Sequence, residues 1–221
     1  MQVQKVNKQS TIKAVKLLKA GKSVAFPTDT SYGLAVDATN TPAVWRIRKI
    51  KARSPKKPIH VVVSSLAMAG KFAVIDKKAK KLAQKFLPGP LTLLLPLRPP
   101  LNLPLMRGRN SGGIRLLSAG TGKIGIRIPK NKVALELVTK LKRPITATSA
   151  NITGKPDCYS AWDINKQFKN KKIKPDLILD GGKLKKVRPS TIIDLTQAKP
   201  KLLRKGPVSY REILPTLSSQ T

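Results

Sequence analysis

Several short stretches of this chain hold the residue types that do chemistry on polar ligands. The stretch ITATSANITGKP, residues 145–156, passes from an apolar entry to Thr146, Thr148, Ser149 and Asn151, then to Gly154 and Pro156. Small hydroxyl and amide side chains placed so either cap a helix or make a turn. Alternatively they bind a polar ligand at the C-terminal end of a strand, where open α/β sheets bind theirs. PTDTSYG, residues 27–33, follows the apolar run SVAF and supplies Thr28, Thr30, Ser31 and Tyr32. Its lone acid, Asp29, suits an amine or a magnesium ion, or an Asp-Thr turn. KIKARSPKKP, residues 49–58, carries Lys51 and Arg53 among its cations. Lys as a point charge and Arg as a fork suit a triphosphate, although a basic loop is also an ordinary solvated surface. Arg127 lies inside the apolar run IGIRIP. A cation there needs a partner, either a structural carboxylate or the carboxylate or phosphate of a ligand. PSTIID and LLRKG add Ser190 and Arg204 further on.

The scarce residue types narrow the chemistry. His60 is the only histidine, so Ser-His-Asp or Cys-His catalysis would have to pass through it. It sits in PIHVVV, which reads as a buried strand with a structural histidine. Cys158 is the only cysteine, so no disulfide forms within the chain and no Cys-rich zinc site exists. No G-x-x-x-x-G-K-[ST] pattern occurs, and GTGKIG is too short to replace one. What abounds is positive charge, hydroxyls and Gly-rich turns, the tools for holding anionic substrates by preorganised electrostatics. Lys and Arg number 45 against 10 Asp and Glu, a formal charge of +35. That field attracts polyanions, nucleic acid first among them. The lysines are nevertheless spread along the chain, as a general preference for Lys on solvated faces would also produce. The first 22 residues hold no long apolar run, and no segment nears the roughly 18 apolar residues of a membrane span. A cytoplasmic protein without a membrane partner is expected.

These residues need elements to place them. Ser10 or Thr11 is expected to cap a helix through about Ala20, with Ile12, Val15 and Leu18 on one face and Gly21 as the stop. Thr41 is expected to cap the next, with Pro42 in its first turn. LAMAGKF, KKAKKLAQKF and KVALELVTKL read as further helices. SVAF, residues 59–63, LTLLL, IGIRI, ITAT, LILD, STIID and KLLR read as strands. Residues 98–123 form a long Pro-, Gly- and Arg-rich excursion, and LSSQT at the end reads as a frayed tail. Helices alternate with apolar strands, and strands crowd the last third. The expected fold is α/β with a mixed sheet, in one domain over 1–208 followed by a short tail over 209–221.

In the order PTDTSYG, KxR, PGPLTLLL, IRIP, TSAN, PSTIID and LLRKG, across roughly residues 10–208, the chain resembles the Sua5/YciO/YrdC family. The resemblance implies a twisted, mixed sheet flanked by helices around a concave basic cavity. It implies an L-threonylcarbamoyladenylate synthase, a nucleotidyltransferase joining L-threonine, bicarbonate and ATP into threonylcarbamoyl-AMP and pyrophosphate. Mg2+ would accompany ATP, with no protein ligand assigned to it. A separate transferase complex would then pass the group to the adenosine beside a tRNA anticodon. Residue by residue, the resemblance puts Lys51 and Arg53 at the ATP phosphates and Ser149 and Asn151 near nucleotide and metal. These four form the implied catalytic set. It puts Arg204 on ATP, and Thr30, Arg127 and Ser190 on threonine, with Arg127 pairing the carboxylate.

Three departures mark this chain. Lys57 stands where many members have Asn, Val62 where they have His, and Pro189 where they have Glu. His60 does not match the common histidine and is not assigned its role. The chain stops soon after LLRKG, where longer members continue, so the single-domain form is expected. An alternative reading is an inactive paralogue that binds double-stranded RNA, tRNA or ribosomes through its basic surface. A third is a carbamoylating enzyme acting on a different amine.

Overall fold

A computed structural model describes residues 1–98 and 112–218. Among the described residues ten strands form one sheet: β1 (Gln2–Lys5), β2 (Val24–Phe26), β3 (Gly33–Ala35), β4 (His60–Val62), β5 (Leu91–Pro96), β6 (Lys123–Arg127), β7 (Ile145–Ser149), β8 (Leu177–Asp180), β9 (Thr191–Asp194) and β10 (Lys201–Arg204). Their order across the sheet is β1-β8-β2-β3-β7-β4-β6-β5-β9-β10. The pairs β1–β8, β2–β8, β4–β6 and β5–β9 are parallel and the other pairs antiparallel, so the sheet is mixed as expected. Among the described residues the helices are α1 (Lys8–Lys19), α2 (Thr41–Lys51), α3 (Leu66–Ala69), α4 (Lys77–Phe86), α5 (Gly112–Leu117), α6 (Lys132–Leu141), α7 (Ala161–Phe168) and α8 (Tyr210–Ser218).

Alternation along the strands decides what each face meets. In β6, Ile124 and Ile126 enter the main core while Gly125 and Arg127 point the other way; in β5, Leu91, Leu93 and Leu95 do the same, leaving Thr92 opposite. The main core spreads under α2, α4, α5 and α7. The opposite face is packed only in part. Ala14, Val15 and Leu18 of α1 and Ala134, Leu137, Val138 and Leu141 of α6 cover strand residues from β8, β2, β3, β4 and β7. No residue of β5, β6 or β9 joins that second core. The uncovered part of this face is where a ligand can sit.

Several local expectations shift. α1 is capped by Asn7, whose Oδ1 accepts from Ser10 N at 2.8 Å; Ser10 is the reciprocal partner, its Oγ accepting from Asn7 N at 2.9 Å. Asn40, not Thr41, caps α2, accepting from Ala43 N. Asn7 and Asn40 hold the extended position just before the first helical turn, from which the side chain reaches the N3 amide, whereas Ser10, Thr11 and Thr41 already lie inside the helices. Ile12 is exposed, since α1 buries Ala14, Val15 and Leu18 instead. Residues 210–218, read as tail, form α8, which packs on α4 and fully buries Ile213. Of the 98–123 excursion, residues 99–111 lie outside the described residues, as do 219–221 of LSSQT. Among the described residues no helix is long and apolar enough to cross a membrane.

Candidate functional site

A cavity of about 250 Å³ opens on the half-covered face. Strand ends and the loops that follow them build it. Thr30 comes from the loop after β2, Arg53 from the loop after α2, Arg127 from the end of β6, Ser149 from the end of β7, Ser190 from the entry to β9 and Arg204 from the end of β10. All six were singled out in the sequence, and the fold brings them to one lining. Lys51 and Asn151 do not line it.

Lys51 lies behind the wall. It is 2% exposed, and its ammonium donates to Ser149 O, to Asn151 O at 2.7 Å and to Asn151 Oδ1 at 2.9 Å. An ammonium has three N–H bonds, and all three are used on the TSAN backbone and its amide. Asn151 is equally committed. Its Oδ1 also accepts from Ser149 Oγ at 2.6 Å, and its Nδ2 donates to Lys155 O. Burial, with Arg53 adding to it, pulls the Lys51 pKa down to about 8, while Asp157 and Cys158 pull the other way. KxR and TSAN therefore meet as a clamp that fixes the Ser149 hydroxyl against the cavity.

Arg127 has a structural partner. Its Nη2 donates to Asp29 Oδ1 at 2.6 Å and its Nη1 to Thr30 Oγ1 at 3.3 Å. The partly buried cation is thus met from within PTDTSYG, and Asp29 is turned to Arg127. Nε of Arg127 is buried and without a partner among the described residues. The loop itself is anchored by Tyr32, whose hydroxyl donates to Gly182 O at 2.8 Å and accepts from Gly181 N at 2.9 Å. Burial raises the Tyr32 pKa to about 12. On the other side, Arg204 Nε donates to Ser190 O at 2.8 Å and Nη2 to Ser190 Oγ at 2.9 Å; Ser190 Oγ also contacts Thr92 Oγ1 at 2.9 Å. A Cβ at Gly206 would stand 2.7 Å from the Ser190 carbonyl carbon, so LLRKG needs its glycine to lie this close to PST. Arg53 Nη2 donates to Pro58 O at 2.7 Å, and burial with Arg48 nearby lowers its pKa.

The sequence reading missed lining residues. His60, read as structural, lines the cavity, and so do Thr92 and Asp157, neither singled out in the sequence. The signal for His60 was present. Strand side chains alternate, so positions 60 and 62 share one face, and Val62 lines the cavity as well. Burial, reinforced by Arg204, Arg53 and Arg127, pulls the His60 pKa down to about 4, so the imidazole is neutral near pH 7.

The Sua5/YciO/YrdC family model, which carries the description "Telomere recombination", matches residues 16–206. This chain belongs to the Sua5/YciO/YrdC family. It is 37% identical over 201 residues to the threonylcarbamoyl-AMP synthase of Pyrococcus abyssi, across 90% of this chain and 55% of that protein. A Methanocaldococcus jannaschii relative is 34% identical over 217 residues, covering 96% of this chain and 95% of its own length. The crystal structure of P. abyssi Sua5 complexed with L-threonine superposes with a TM-score of 0.84 at 34% identity, over 98% of this chain and 60% of that one. The chain thus spans little more than half of its P. abyssi relative.

Proposed function

We infer that this Sua5/YciO/YrdC chain is an L-threonylcarbamoyladenylate synthase, using L-threonine, bicarbonate and ATP. The observation that carries the reading is the single cavity in which Arg127, Arg53 and Arg204 converge with Ser149 and Ser190. Similarity to the P. abyssi synthase and to the threonine-bound Sua5 structure supports it. The threonine carboxylate meets Arg127, whose fork is held by Asp29 and Thr30; Ser190 stands nearby, steadied by Arg204. The phosphates meet Arg53, Arg204 and the Ser149 hydroxyl. Lys51 and Asn151 act from behind, by holding TSAN in place.

The chemistry asks for alignment and charge neutralisation. The amine condenses with bicarbonate: a C–N bond forms, and a proton of the amine leaves with the bicarbonate hydroxyl as water. A carbamate oxygen then bonds to the α-phosphorus, the bond to the β-phosphate oxygen breaks, and pyrophosphate departs. Both partners of the second step are anions, so cations fixed in advance remove repulsion, and holding the pair in line removes much of the entropic barrier. Mg2+ is a hard cation that takes phosphate oxygens with one or two protein oxygens. The Asp157 carboxylate and Ser149 Oγ, both on the lining, fit that need, and the ion would neutralise phosphate charge.

Pyrophosphate release from ATP with Mg2+, with and without L-threonine and bicarbonate, tests this. Release that needs both supports the synthase. Release with another amino acid moves the reading to a different amine. No release in any combination, with tight salt-dependent binding to structured RNA, moves it to the inactive RNA-binding paralogue. A downstream transferase complex and tRNA itself remain proposed partners on the same reading.

A further inference from the structure

His60 is the sole histidine of the chain, and its Nδ1 is buried without a partner among the described residues. Small neighbours make its place. Ala147 of β7 pairs with it on one side. On the other lies Gly125 of β6, one residue before the Val61–Ile126 pair. A Cβ on Gly125 would collide with Nδ1, while standing 2.6 and 2.7 Å from Cγ and Cε1. Two such similar distances put Nδ1 straight over Gly125 in the plane of the ring. The Cδ2–Nε2 edge is therefore turned away from that strand. A lone pair is better placed over a Cα–H, itself a weak donor, than an N–H with no acceptor. With Nδ1 unprotonated, the neutral ring carries its proton on Nε2.

The register says what that N–H lies between. Two residues beyond Gly125 on β6 is Arg127, paired with Val62. Two residues beyond Ala147 on β7, in the opposite sense along the sheet, is Ser149. Arg53 reaches the Ser149 end through Pro58 O, two residues before His60. Each step of two residues is about 7 Å. His60 thus stands midway between the group assigned to the amino-acid carboxylate and the groups assigned to the phosphates. Its imidazole is also a neutral side-chain donor, kept so by burial and by the three guanidinium groups of Arg204, Arg53 and Arg127.

We propose that His60 Nε2–H donates a hydrogen bond to an oxygen of the one-carbon unit, first bicarbonate and then the carbamate made from it. No proton is transferred. The ring holds the oxygen that joins the amino-acid half of the site to the nucleotide half. The assignment rests on the synthase reading above.

Two measurements test it. In steady-state pyrophosphate release, His60→Leu raises the KM for bicarbonate about three- to tenfold, the loss of one hydrogen bond. It leaves the KM for threonine and for ATP within about twofold, and those two constants also show that the variant is folded. His60→Gln, which keeps an N–H, recovers part of the bicarbonate KM. An unchanged bicarbonate KM, or equal rises for all three substrates, overturns the proposal. The second readout needs no turnover. One histidine gives one imidazole nitrogen pair in a 15N-histidine spectrum, and bicarbonate should shift Nε2 while Nδ1 stays still. Normal pyrophosphate release with an Nε2 signal blind to bicarbonate sinks the His60 assignment and spares the synthase. A bicarbonate-dependent Nε2 shift without threonine-dependent release does the reverse.

Discussion

Replacing Lys51 by Met separates the clamp from the phosphates. Methionine keeps a flexible apolar stem but donates nothing. Ser149 O and Asn151 O lose the ammonium, while Asn151 Oδ1 keeps Ser149 Oγ. Each buried backbone oxygen left bare costs about 1–3 kcal/mol, hence about 2–6 for the two. Against this, the variant no longer buries a charge. The gap between the ordinary Lys value of 10.5 and about 8 in the fold is worth about 3 kcal/mol at neutral pH. Loss and relief largely cancel, leaving between a gain of about 1 and a loss of about 3 kcal/mol. At 2–4 °C per kcal/mol for a chain of this size, Tm falls by no more than about 12 °C. Activity has no such compensation. With TSAN untethered, Ser149 drifts, and displacement of about 1 Å costs on the order of a hundredfold in rate. The assay is thermal denaturation and pyrophosphate release on one preparation. A folded Lys51→Met that keeps more than about a tenth of the wild-type rate refutes the clamp.

The same group sets a pH signature. The folded value lies below the unfolded one, so between about pH 8 and 10.5 the unfolded chain binds more protons, and this group's contribution to unfolding free energy rises with pH. Above about pH 8 the amine has two donors for three acceptors, so activity falls while stability from this source grows; Lys51→Met shows neither trend. Gly125→Ala drives a methyl into His60 Nδ1; it should cost about 1–3 kcal/mol by denaturant titration and raise the bicarbonate KM along with it. Asp29→Asn weakens the hold on Arg127 and should raise the threonine KM about three- to tenfold with the ATP KM unmoved. Tyr32→Phe removes the bonds to the Gly181 N–H and Gly182 O; both glycines are exposed and turn to water, so at about 0.5–1.5 kcal/mol for each of the two bonds it should cost about 1–3 kcal/mol, read as a lower denaturation midpoint.

Much of the site was legible because its residues are unusual in their surroundings. Arg127 in an apolar strand and the hydroxyls of TSAN violate the local pattern, and such violations point to function. What stayed hidden depends on distant chain. Nothing near Lys51 announces that its ammonium ends on residues 149 and 151, since the contact exists only once the C-terminal end of α2 meets the end of β7 and the loop after it. Asp29 looked available for a ligand because its partner is 98 residues away. The fold shows the same division. Apolar strands such as LTLLL and IGIRI were readable as short apolar runs. β1, QVQK, is an edge strand whose side chains are polar apart from Val3 and mostly exposed, so it shows no buried face to read. α8 carries Pro215 and is held by Ile213 against the core beside α4, a tertiary cause that helix propensity opposes.

The pairing of β5 with β9 has a consequence for how the chain emerges from a ribosome. Leu91 pairs with Thr191, 100 residues later. At about 5–20 residues per second, the outer edge of LTLLLP waits about 5–20 s for its partner. During that wait an apolar strand edge stands open, a template for association with other nascent chains. The late segment also delivers Ser190 and Arg204, so a chain stalled before it would combine an incomplete ligand site with a sticky edge.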